Sequence, residues 1–143
     1  MKSAKLLWLT LGGLSLIGCS AEKSPSQVYE EYNSKVVAGI SYDEDKAYYT
    51  KRKQQEVESK VLQYVKQMNK SRGEVVEVYL NFSREVAKCK EIMLVTETIE
   101  GNNALLEYSQ KDICGNESAS SEKQVVRMES ENGWKIDDVE ISL

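Results

Sequence analysis

Tyrosine is the residue type through which this sequence could carry chemistry. Eight tyrosines stand against one phenylalanine, and histidine is absent. A phenol can hold a developing oxyanion while a nearby carboxylate takes up a proton. Tyr108 and Asp112 fall on one side of a strand-like segment, and Tyr48, Tyr49 and Tyr79 lie on helical stretches that could face them. These five are the candidate pocket residues. No motif marks any of them as catalytic, and tyrosines at helical spacing more often edge a core. The absent histidine excludes Ser-His-Asp and Cys-His catalysis, the usual zinc and iron sites, and a histidine pH switch. Nothing calls for a cofactor. Asp43-Glu44-Asp45 has the charge of a cation loop but lacks its alternating spacing and its glycine. The run reads instead as carboxylates at a helix N-terminus, stabilised by the dipole.

The elements that must position these residues are helices first and strands after. Ser24-Pro25-Ser26-Gln27 is a helix start, with serine as N-cap, proline in the first turn and glutamine three residues after the cap. Val28, Tyr29, Tyr32, Val36, Val37 and Ile40 recur at helical spacing, and Gly39 ends the helix near its natural C-cap position. A short helix after Asp43 reaches Tyr48-Tyr49-Thr50. A longer one carries Val57, Val61, Tyr64, Val65 and Met68 on one face and ends at Ser71-Arg72-Gly73. Residues 74–88 fit two patterns. Val76, Val78, Leu80 and Phe82 alternate like a strand, whereas Val75, Tyr79, Phe82, Val86 and Cys89 share a helical face. The helical propensity of residues 83–88 favours the helix.

From Glu91 onward the texture is β. Ile92–Ile99 is rich in β-branched residues, and residues 100–103 make a turn. Ala104, Leu106 and Tyr108 alternate with polar residues in a second strand. A Ser-rich loop spans residues 115–122. A third strand runs from Gln124 to Glu129, with Val126 and Met128 on one face. Asn132-Gly133 is a tight hairpin turn. Trp134 and Ile136 point one way, with Trp134 expected as a core anchor, and Val139, Ile141 and Leu143 resume out of phase. That shift at Asp137-Asp138 reads as a β-bulge. The fold class is α+β, with N-terminal helices packed on an antiparallel meander of about four strands.

The N-terminus carries its own signature. Lys2 and Lys5 precede an uncharged, mostly apolar stretch, Leu6 to Ile17, which is too short to span a bilayer. It closes on Leu16-Ile17-Gly18-Cys19, which resembles the lipobox of bacterial lipoproteins. The resemblance implies that residues 1–18 are a signal peptide and that the Cys19 thiol takes a diacylglycerol. Residues 19–24 would then be a lipidated N-terminus and short tether, and residues 25–143 a single domain. Ser20, rather than aspartate, after the cysteine implies sorting to the outer membrane, facing the periplasm. Loss of Lys2 and Lys5 takes the formal net charge from −4 to −6. Such a domain is a poor partner for nucleic acid, and the acyl chains rather than its charge must hold it at the membrane. With Cys19 acylated, Cys89 and Cys114 remain. In an oxidising compartment they read as one disulfide; a two-cysteine metal site is the alternative, with no histidine to complete it.

Ser24-Pro25 opening a helix, Gly39 closing it, Tyr48-Tyr49-Thr50, and above all Glu131-Asn132-Gly133-Trp134-Lys135-Ile136-Asp137 resemble lipoproteins with a nuclear transport factor 2-like (cystatin-like) domain. The resemblance implies a curved antiparallel sheet wrapped around helices, a cone whose mouth often binds something. The hairpin usual before the third helix is missing here. The superfamily includes enzymes, carriers and pure binding domains, so it leaves function open. Two functions stand. One is a non-enzymatic binding or accessory module for an envelope protein or cell-wall component, such as an inhibitor or immunity factor. The other is a small-ligand carrier or enzyme using a Tyr/Asp-lined cone. A filled cone with an exposed apolar sheet face or edge would favour the first, and an enclosed pocket lined by tyrosine and one or more carboxylates the second.

Overall fold

The computed structural model describes residues 22–115 and 122–142. The expectations for the signal segment, Cys19, the first half of the tether, the core of the Ser-rich loop and Leu143 fall outside those residues. Four helices precede four strands: α1 (Pro25–Ala38), α2 (Tyr42–Ala47), α3 (Lys51–Met68), α4 (Arg72–Lys88), β1 (Lys90–Glu100), β2 (Asn103–Asp112), β3 (Glu122–Ser130) and β4 (Trp134–Ser142). The strands pair antiparallel in the order β1-β2-β3-β4. This is the expected α+β layout, and among the described residues no strand precedes β1. No described helix is long and apolar enough to cross a membrane.

Each helix starts on a hydroxyl cap. Ser24, Ser41 and Ser71 form reciprocal capping boxes with Gln27, Glu44 and Glu74, and the Thr50 hydroxyl accepts from the Lys53 N–H. Each box satisfies two backbone donors that the helix itself leaves open. The third box moves an expected boundary. Arg72 and Gly73, read as the end of α3, lie in the first turn of α4, because Ser71 and Glu74 start a helix there. The α3 helix stops earlier, at Asn69, whose φ of 51° is left-handed. Residues 74–88 are helical throughout.

The core lies where α1 and the α2–α3 link meet the inner face of the sheet. Tyr29, Tyr49, Ala104, Leu106, Tyr108, Val126, Met128 and Ile136 form one buried cluster. Trp134 was expected among them but is half-buried at the rim, packed on the cluster from one side. Two bulges shape the sheet. Asp137 is the extra residue in β4, as the phase shift foretold. Val95 is the extra residue in β1, which turns Glu97 toward Leu106 and lets its carboxylate accept the Ser26 N–H at 2.9 Å.

The β4 bulge fastens the helices to the sheet. Ile136 donates its N–H to the Tyr48 carbonyl at 2.7 Å and accepts from the Thr50 N–H at 2.9 Å. The Asp137 carboxylate accepts from the Thr50 hydroxyl at 2.7 Å and from both Nε and Nη2 of Arg52 at 2.9 and 2.7 Å. A paired guanidinium–carboxylate geometry of this kind is among the stronger ion pairs. The Arg52 guanidinium and the Thr50 hydroxyl hold the Asp137 carboxyl below the usual carboxylate range.

Cys89 caps α4 and is bonded to Cys114, 25 positions on, at a Cα separation of 5.0 Å. The bridge ties the end of α4 to the end of β2, next to the Ile113 N–H that bonds the Cys89 carbonyl. In the chain-entropy model, closing a loop of this length stabilises by about 3.5 kcal/mol. Replacing both cysteines by serine should lower the unfolding free energy by about that amount in urea titrations; an unchanged midpoint would show that the bridge does not constrain the chain.

Candidate functional site

The five tyrosine and aspartate candidates do not converge on one place. Tyr49 and Tyr79 do meet, with their hydroxyl oxygens 3.3 Å apart. Tyr48 points the other way, donates to Glu31 at 2.9 Å and packs on Tyr32. Tyr108 is a core residue, its ring tilted against that of Tyr29 with centroids 5.4 Å apart. Asp112 lies at the end of β2, where it accepts the Cys114 N–H at 2.8 Å.

The carboxylate that joins Tyr49 and Tyr79 is Asp45, from the acidic run read as carboxylates at a helix N-terminus. The three acids of that run differ completely. Asp43 is exposed and pairs with Lys46, Glu44 closes the Ser41 capping box, and Asp45 is 2% exposed. Asp45 accepts from the hydroxyls of Tyr32 at 3.0 Å, Tyr49 at 3.3 Å and Tyr79 at 3.1 Å. Tyr32 and Tyr49 also lie 2.6 Å apart, oxygen to oxygen. Tyr32 was read only as one of the apolar stripe on α1. The available signals were the four-residue step from Asp45 to Tyr49 and a tyrosine count that demanded acceptors.

Three hydroxyls supply three protons, so if all three donate to Asp45 neither contact between hydroxyls holds one. A fourth proton, on Asp45, would fill one of these contacts. Burial likewise pushes the Asp45 carboxyl above its usual range, while the bonds from Tyr32, Tyr79 and Tyr49 pull it back. Burial first, and then the neighbouring Asp45 or tyrosine, raises all three phenols well above their ordinary value, so each stays a neutral donor. Asp45, Tyr32, Tyr49 and Tyr79 thus serve as one another's hydrogen-bond partners.

Two connected hollows flank the cluster. One, of about 580 Å³, runs between α3 and α4. The other, of about 300 Å³, lies between α1, α4 and the inner face of the sheet. Tyr49, Lys53, Tyr79, Phe82 and Ser83 line both, so the two form one cleft. Among the described residues, its wall contains no aspartate or glutamate. Lys53, at the junction, is already paired with Glu56 at 3.3 Å and Asp138 at 3.2 Å. The rest is largely apolar and open to water. On α4, Val75 is buried, but Val78 and Phe82 are exposed, Phe82 by 69%. On α3, Val61 is buried, but Tyr64 and Met68 are exposed. Val139 and Ile141 pair with Val126 and Gln124 and so share their inner face, yet Ile141 is 56% exposed. Among the described residues no group of three His, Cys, Asp or Glu could hold a metal ion.

No family model matches the chain, and no curated protein does. Among solved structures, it is similar to an NTF2-like protein of unknown function from Cytophaga hutchinsonii, at 10% sequence identity and a TM-score of 0.43. The match covers 86% of this chain and 92% of that one.

A buried carboxylate that loses its partners, or partners that lose their acceptor, is costly. Asp45→Ala should destabilise the domain by about 3 kcal/mol. Asp45→Asn should cost less, since an amide can accept two of the hydroxyls and donate to the third. The two differ in pH dependence. The Asp45 pKa is raised in the folded chain, so its stabilising contribution is full at acid pH and is lost as pH rises through that value. The stability of the wild type relative to Asp45→Asn should therefore fall from acid to neutral pH; a difference that rises over that range would contradict the assignment.

Proposed function

We propose that the chain is the precursor of a lipid-anchored envelope protein, carried on Cys19 in the outer membrane, whose domain is a non-enzymatic binding module for another envelope protein. The observation that supports binding is the open apolar cleft. Apolar stripes on α3 and α4 and the inner face of β4 would each be core in a closed fold, yet they stay in water together. Exposed apolar surface of this continuity marks an interaction site. The absence of acid in the cleft wall, and the complete engagement of Asp45 behind it, argue against proton-transfer chemistry there. An apolar wall suits the side chains of a protein segment better than the hydroxyls of a cell-wall glycan. Outer-membrane location rests on the lipobox resemblance and on Ser20.

Phe82 offers the cleanest test, because its side chain is mostly in water and its loss should change stability by no more than about 0.5 kcal/mol. Cross-linking in intact cells should give a protein adduct with the wild type and none with Phe82→Asp at equal abundance. Undiminished adducts from a folded Phe82→Asp variant would remove the cleft as the binding surface.

A further inference from the structure

A third hollow, of about 430 Å³, lies at the opposite end of β4 from the cleft. Trp134, the first residue of β4, and Tyr48 form its aromatic part. Both are half-buried, with one side on the core cluster. Around them stand Lys23, Lys35 and Lys135 and, in equal number, Glu22, Glu31 and Glu44. The charges cancel. Lys35 sits 5.5 Å above the Tyr48 ring, Lys23 pairs with Glu31, and Lys135 donates to the Ala47 carbonyl at 2.6 Å.

Glu22 is the first described residue and is part of this wall. Cys19 precedes it by three residues, a reach of at most about 11 Å at full extension. Whatever Cys19 carries is therefore held at this end of the domain. Resting on the reading of Cys19 as the acylated residue, we infer that this end is a membrane-contact surface, seated on zwitterionic phospholipid headgroups with Trp134 and Tyr48 at headgroup depth. Tryptophan and tyrosine favour that depth because one part of the ring is apolar and the other polar. Three ammonium groups and three carboxylates complement a headgroup that bears both a phosphate and an ammonium. The domain's net negative charge disfavours an anionic lipid surface. From Trp134 to Ile141 the strand advances by roughly 20 Å. The Ile141 part of the cleft therefore lies at the far end of the strand from the headgroup contact.

Trp134 is its own probe. The sequence holds two tryptophans, and the other, Trp8, belongs to the segment removed on maturation. Protein extracted from membranes would be weighed by mass spectrometry and reconstituted in phosphatidylethanolamine–phosphatidylcholine vesicles carrying nitroxide quenchers at shallow or deep positions. Most of the Trp134 emission should be lost to the shallow probe and little to the deep one, with no change in high salt. Acylated protein that floats with the vesicles while its Trp134 stays unquenched would overturn the contact surface and leave the anchor standing. A mass without acyl groups would overturn both.

Discussion

Taking the Asp45 carboxylate out of water is the constraint to which the other contacts adjust. A buried acid is tolerated only with its lone pairs occupied. Its partners come from α1 (Tyr32), from the link after α2 (Tyr49) and from α4 (Tyr79). Three segments must therefore converge on one point. Once Tyr49 is held there, its neighbours Tyr48 and Thr50 are in place to pair with Ile136, and the helices are joined to the sheet. Thr50 in turn caps α3 and meets Asp137 at the bulge. The same arrangement leaves α3 attached mainly at its N-terminal end. Beyond the buried Val61 and Val75, apolar residues of both helices, Tyr64, Met68, Val78 and Phe82, stay exposed and line the cleft.

Much of this could be read from local pattern. The caps at Ser24 and Gly39, the Asn132-Gly133 turn and the Asp137 bulge are each decided by a few adjacent residues, and each stands where the pattern put it. Cys89 and Cys114 were legible because, with Cys19 set aside, no other pairing was open. The Asp45 cluster was not legible. Asp43, Glu44 and Asp45 look alike in sequence, and what sets the buried one apart is the convergence of Tyr49, Tyr32 and Tyr79 from 4, 13 and 34 residues away. The Val95 bulge had no signal in a run of β-formers. Trp134 was assigned to the core because it is in phase with Ile136, but phase decides the face of a strand and not how far the helices extend over it. The same limit applies to Phe82, Val86 and Ile141. Periodicity identified each as inward-facing, yet no described element reaches far enough to cover them.

The resulting picture is a domain with two unlike ends joined by β4. Near Trp134 the surface is aromatic and charge-balanced, a short reach from the residue read as the lipid carrier. Near Ile141 it is apolar, open and floored by tyrosines that a buried carboxylate keeps in position. On the function proposed above, that separation would let one small domain be held at a bilayer while offering its cleft to a neighbour. The most direct measurement is photo-cross-linking in living cells, with a photoreactive residue placed at Asn132 or at Ile141, both exposed positions at the two ends. The account predicts lipid adducts from Asn132 and protein adducts from Ile141. Lipid adducts from Ile141 with none from Asn132 would contradict it.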